Sequence, residues 1–255
     1  MRTLVRASSH YFSRDVGADS STDDLSFCYC FKQTTKASAS GASNEHAAFT
    51  WAASDTNVVG LLLSHAHDGT RETVQATWTS GYASYQSRTR YMASGAALFD
   101  TSKNQYLAGK LKKSTGALTI YIDGVALDTS GGSGSGFSAS FSAGRILTIG
   151  RWAGSGRHFD GSIGRMCLLT STLLTDAQLQ ALSQGAEPRS VFTPTHMIPM
   201  RYTNQASSSN ENDTAGNAYT VSGTPVAAVD PYGLIVPPVS GRLQRLVARL
   251  SGGFR

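Results

Sequence analysis

The chain has 255 residues, of which 15% are charged and 40% hydrophobic, with 26 glycines and a formal net charge of +5. This length and composition suit one large β-sandwich of short strands and turns better than a set of long solvated helices. Much of the positive excess sits in Lys110, Lys112 and Lys113 and in arginines at the C-terminal end. It forms no stripe interleaved with aromatics, so nucleic acid is not an expected partner.

No membrane partner is expected either, because the longest apolar run, VVGLLL, is far too short to span a bilayer. The stretch MRTLVRASSHYFS has no apolar core of a signal peptide, and none is expected. Three cysteines do not make a disulfide framework.

Residues 1–24 are polar and rich in Ser and Asp, and read as an N-terminal arm or an edge strand. Leu25 to Lys32 alternates as a strand, with Cys28 and Cys30 on one face and Phe27, Tyr29 and Phe31 on the other. The cysteines read as small buried hydrophobes. A Cys-x-Cys metal pair needs two further ligands, which Cys167 alone does not supply. Ala47 to Trp51, Val58 to Ser64 and Thr73 to Trp78 are further strands, separated by SDTN, HDGT and SGYAS, a spacing that predicts a sandwich or barrel.

The segment SHAHDGT at 64–70 approaches the His-x-His-x-Asp-His pattern of metal-dependent hydrolases. The register fails, because Asp68 comes one place early and Gly69 and Thr70 stand where Asp and His belong. A strand-end turn with two exposed imidazoles, His65 and His67, is the expectation.

From Leu118 the signals are dense. Leu118, Ile120 and Ile122 alternate with Thr119, Tyr121 and Asp123, and Asp123-Gly124 is a strong two-residue hairpin signal, since both positions of a type I′ turn need positive φ. Val125 to Leu127 is the predicted returning strand. The run SGGSGSGF at 130–137 lacks the Gly-Lys-Ser/Thr of a phosphate loop and reads as a flexible hairpin loop. Ile146 to Gly150 and Ile163 to Leu169 are two more strands. A helix then starts at Asp176, with Thr175 as N-cap, Gln178 completing a capping box, Leu174 and Leu179 placed for a hydrophobic staple, and Gly185 at the C-terminal stop.

The succession YIDG, strand, IGR, FDGSIGR, strand, LLTDAQLQAL resembles the C-terminal half of laminin-G-like domains in the concanavalin A-like lectin/glucanase superfamily. The resemblance is carried by residues 118–185, and over about 20–117 by the order of strands. It implies an all-β fold, a two-sheet antiparallel jelly-roll sandwich with one short helix and a C-terminal extension. Between Tyr91 and Leu111 the chain departs from the pattern, with ALFDTSKNQYLAGKLKK in place of an aromatic and a His-rich apolar strand. Residues 188–240, with MIPMRYTNQ, an Asn/Ser loop and AYTVSGTP before a Pro-rich exit, resemble a tail that follows such domains in proteins encoded among bacteriophage and prophage genes.

The expected organisation is therefore an arm at 1–24, the sandwich at 25–187, C-terminal strands and a Pro-rich exit at 188–240, and a basic amphipathic tail at 241–255. In that tail Leu243, Leu246, Val247 and Leu250 recur at helical spacing among Arg242, Arg245 and Arg249, and these residues are the candidate partner-binding set. A helix so short is marginal alone in water and needs a surface to lie on.

The loop from Arg151 to Asp160 is the best ligand candidate. Sugars are held by an aromatic face against their C–H surface together with fixed polar groups, and Trp152, Arg157, His158 and Asp160 offer both within ten residues. The competing reading is packing, with Phe159 and Gly161 serving turn chemistry. Glycoside hydrolysis needs two flanking carboxylates. The Glu-x-Asp-x-x-Glu strand of the superfamily's glucanases is absent, and the four glutamates, Glu45, Glu72, Glu187 and Glu211, are scattered. The calcium bound by some laminin-G-like domains has no ligand set that can be matched here, so no catalytic residue, metal or cofactor is assigned.

The resemblance implies a non-enzymatic structural or decorating component of a bacteriophage virion, assembled in the host cytoplasm. It would dock to capsid or tail proteins through its arms and form a homo-oligomer. The alternatives are a carbohydrate-binding adhesin for host glycans and, third, a glycoside hydrolase.

Overall fold

A computed structural model describes residues 2–4, 11–15, 24–37, 45–52, 60–68, 70–81, 84–92, 96–112, 114–132, 146–152, 157–170, 172–198, 210–212, 218–222 and 226–227. The first strands are β1 (Arg2–Leu4), β2 (Tyr11–Asp15), β3 (Asp24–Gln33), β4 (His46–Ala52), β5 (Gly60–His67), β6 (Glu72–Gly81) and β7 (Ser84–Tyr91). There follow β8 (Gln105–Lys112), β9 (Ala117–Ile122), β10 (Val125–Ala126), β11 (Asp128–Gly132), β12 (Ile146–Ile149) and β13 (Gly161–Thr170). After the helices α1 (Asp176–Ser183) and α2 (Pro188–Val191) come β14 (His196–Ile198), β15 (Asn210–Asn212), β16 (Ala218–Ser222) and β17 (Val226–Ala227).

All the pairings are antiparallel and build two sheets. One runs β10-β9-β8-β3-β13-β1-β17, with β14 also on β13, and the other runs β11-β7-β6-β5-β4-β12-β2-β16-β15. The order follows from the alternation in the sequence. Phe27, Tyr29 and Phe31 of β3 and Leu118, Ile120 and Ile122 of β9 point inward with Phe49, Leu61, Leu63 and Ile149 of the second sheet. Burying each such side chain stabilises the sandwich by about 1.5–3 kcal/mol before entropy is counted. On the opposite face of β3, Cys28 lies with Ala108 and Cys167 beneath Leu179 and Leu182 of α1.

The local signals around the hairpin and the helix read true. Asp123 and Gly124 sit at φ 50 and 82°, as the type I′ turn requires. Thr175 caps α1, and the capping box with Gln178 is complete in both directions. Leu174 and Leu179 meet in one cluster, as a hydrophobic staple does. Thr175→Ala removes an acceptor from the Gln178 amide and is expected to cost about 1 kcal/mol, read as a lower urea midpoint with unchanged slope.

Of residues 1–24, read as an arm or an edge strand, β1 lies between β13 and β17 in one sheet and β2 between β12 and β16 in the other. The C-terminal strands β16 and β17 thus meet the body through the N-terminal ones. Strand β7 forms where no strand was expected. The tail 241–255, with Arg242, Leu243, Arg245, Leu246, Val247, Arg249 and Leu250, lies outside the described residues. So does most of the Gly/Ser loop, from 133 on. No described helix is long and apolar enough to cross a membrane.

One expectation is overturned. His65 is not exposed at a strand end but fully buried inside β5. Its Nε2 lies 2.8 Å from the Tyr29 hydroxyl and its Nδ1 2.7 Å from Gln33 Nε2. The ring stacks on Phe99 at 4.6 Å and meets Phe31 edge-on at 4.5 Å. The apolar partners come from the facing sheet and a later loop, which is why the polar sequence that follows, from Asp68 on, misleads about its exposure.

Candidate functional site

The segment 151–160 connects β12 of one sheet to β13 of the other, at the end of the sandwich where β3 finishes and β4 begins, and its described ends fold back on each other as a small local hairpin. Arg151 and His158 pair across it. The Trp152 amide donates to Arg157 O at 3.2 Å, and the Phe159 amide donates to Gly150 O at 2.8 Å. The Thr50 hydroxyl donates to Arg151 O at 2.8 Å, tying the hairpin to β4. Residues 153–156 lie outside the described residues.

Trp152 and Arg157 face each other across its described ends. Both are partly exposed, and the Arg157 guanidinium lies over the indole at 3.9 Å from the ring centroid. Arg157 Nη1 in turn donates to Glu45 Oε2 at 2.8 Å, with about a fifth of each side chain exposed, 18% and 19%. Burial pushes the Glu45 carboxyl up and the Arg157 guanidinium down from their ordinary values, and each charge opposes the shift of the other. The indole is therefore held by a charged pair that reaches across from the start of β4. A second stack sits beside it, with Arg151 over the Tyr11 ring at 4.0 Å.

The other two candidates are turned to different work. His158 is 8% exposed, and its ring lies 6.4 Å from that of Tyr11. Asp160 accepts from the Thr35 hydroxyl at 2.8 Å, while its carbonyl takes the Thr34 amide at 2.9 Å, so it fastens the chain leaving β3. Phe159 is fully buried. The structure thus brings Trp152 and Arg157 together, buries His158, and ties the partly exposed Asp160 to the chain leaving β3.

Sequence reasoning missed Glu45 and Tyr11. Glu45 is 112 positions from Arg157, and no local pattern joins them.

The glutamates whose side chains are described, Glu45, Glu72 and Glu187, are far apart in role as well as in sequence. Glu45 is paired with Arg157, Glu72 with Lys36 at 2.8 Å and Glu187 with Arg165 at 3.0 Å. Glu72 Oε2 also accepts the amides of Leu98 and Phe99, which makes it a loop clamp. Among the described residues no group of three or more His, Cys, Asp or Glu side chains is placed to hold a metal ion.

No family model matches the sequence. No curated protein matches it either. Solved structures do. A native heptameric SAP-like pentraxin from Limulus polyphemus aligns over 88% of this chain and 90% of its own, at 11% identity and a TM-score of 0.57. A candidate carbohydrate-binding protein from Bacteroides ovatus aligns over 86% of this chain and 60% of its own, at 16% identity and a TM-score of 0.53. Domains LG4–5 of the mouse laminin α1 chain align over 70% of this chain and 44% of theirs, at 17% identity and a TM-score of 0.48. The chain shares with the first two the fold of an all-β, two-sheet antiparallel sandwich.

Proposed function

We propose that this protein is a non-enzymatic carbohydrate-binding module that holds a sugar at the Trp152 hairpin. The observation that carries the reading is the partly exposed indole stacked under Arg157 and braced by Glu45, on a hairpin bonded into β4. An aromatic ring fixed before the ligand arrives loses little entropy on binding, and hydrogen-bonding groups beside it set orientation. The likeness to a candidate carbohydrate-binding protein supports the reading at the level of the fold. The absence of catalysis is part of the proposal, and it is supported by the engagement of Glu45, Glu72 and Glu187 in separate ion pairs rather than as a facing pair.

Electrophoresis through gels laced with polysaccharides tests this. Retardation of the native chain by at least one polysaccharide is expected, with the retardation lost in Trp152→Ala and the unfolding free energy kept within about 1 kcal/mol. Equal retardation of the variant would remove the hairpin from the reading.

The decorating role on a bacteriophage virion is the second reading. It is supported by the resemblance of residues 188–240 and by the way β16 and β17 join both sheets. Loss of the protein from purified particles on deletion of residues 241–255, with polysaccharide retardation unchanged, is the outcome that reading expects. Particle attachment that survives the deletion would count against docking through the tail.

A further inference from the structure

We propose that Cys28 and Cys167 close a disulfide that staples β3 to β13 when the chain meets an oxidising environment. The two residues stand directly opposite each other in the antiparallel register, on the face covered by α1. Directly opposed residues of such a ladder have Cα atoms about 4.5 or 5.5 Å apart. Both separations fall inside the range of about 4.4–6.8 Å that disulfides span. The two side chains lie in one buried cluster. Both side chains are buried with free thiols.

The third cysteine is excluded by register. Cys30 stands opposite Gly164, and a bulge separates that pair from Cys167 and Cys28. Cys28 and Cys30 are two places apart on one strand, about 6.6 Å, with parallel Cβ directions, and do not reach one another.

The chemistry needs an oxidant, which is a small disulfide such as oxidised glutathione. One cysteine thiolate attacks that disulfide, forming a mixed disulfide and expelling one glutathione thiolate. The second cysteine then attacks the mixed disulfide and expels the other. The two protein thiols lose two electrons and two protons, and the glutathione disulfide is reduced to two thiols. Contact with Cys167, followed by burial, holds the Cys28 thiol well above its ordinary range, so thiolate is scarce. Leu179 and Leu182 of α1 must also lift to admit the oxidant. Closure is therefore slow in the folded chain, and the bridge once made is equally sheltered from reduction. This inference stands apart from what the sandwich binds.

The test incubates the full native chain in glutathione mixtures from reducing to oxidising until the thiol count stops changing. Acid quenching, alkylation in denaturant and peptide mass spectrometry follow. The expected plateau is one alkylated thiol, a mass lower by two hydrogens and a higher denaturation midpoint. Cys30→Ala should keep the bridge and Cys28→Ala should lose it. Three alkylated thiols at the most oxidising plateau, or a bridge that persists in Cys28→Ala, would overturn the proposal.

Discussion

Replacing Gly161 with alanine is expected to destabilise the sandwich by about 3 kcal/mol or more, a large share of the roughly 5–15 kcal/mol that holds a domain folded. Gly161 opens β13 at φ +147°, and an added Cβ would stand 2.1 Å from Lys32 O and 2.8 Å from Gln33 Cα. Those are backbone atoms of the paired strand β3, so no side-chain rotation relieves the clash. The strand has to shift, and with it the Asp160–Thr34 bond that fastens the hairpin. Gly60 meets Trp51 O at the same 2.1 Å from the first residue of β5, and Gly60→Ala is expected to behave alike. Chemical denaturation read by tryptophan fluorescence checks both, and a midpoint unchanged from the parent would contradict the close approach.

The second large effect concerns His65. Burial, with a smaller contribution from His46, holds its imidazole well below the ordinary histidine value, so it stays neutral in the folded chain. The unfolded chain binds a proton at about pH 6.5. Below that pH the unfolded state therefore gains a proton that the folded state refuses. Stability is fully present above pH 6.5 and falls by about 1.4 kcal/mol per pH unit until the depressed folded value is reached. Glu45 acts with the opposite sign, because its raised carboxyl protonates first in the folded state, but only as the pH nears the carboxylate range. His65→Gln keeps a hydrogen-bonding side chain without the titration. It is expected to flatten the slope between pH 6.5 and 5 by about one proton. His65→Ala leaves the buried Tyr29 hydroxyl and Gln33 amide without their ring partner and opens a cavity, at about 3–5 kcal/mol. Unfolding titrations across that pH interval check the sign, and a slope identical in His65→Gln would assign the acid sensitivity elsewhere.

The parts of the fold that were legible in the sequence are those written in local chemistry. Asp123-Gly124, the alternation of Leu118 to Ile122, and the Thr175 and Gln178 box each need only their immediate neighbours, and each stands where it was expected. The strand SYQSRTRY of β7 was missed because it has no apolar face to announce it. His65 was misread because its partners Tyr29 and Gln33 lie 36 and 32 positions away, on the other sheet. The hairpin at Trp152 was legible as a cluster of residue types. Its internal division was not: Arg157 stacks on Trp152 and pairs with Glu45, which stands just before β4, whereas His158 and Asp160 turn toward Tyr11 and Thr35. Those pairings are products of the topology, which brings the ends of β3, β4, β12 and β13 together.

The proposed role rests on the Trp152 ring as a preorganised platform, and a glycan array probed with the native chain and with Trp152→Ala addresses it most directly. The expected result is retention of the native chain on a chemically related set of glycans, falling at least tenfold in the variant, about 1.4 kcal/mol. An array on which the native chain is retained nowhere, or on which Trp152→Ala is retained equally, would contradict it.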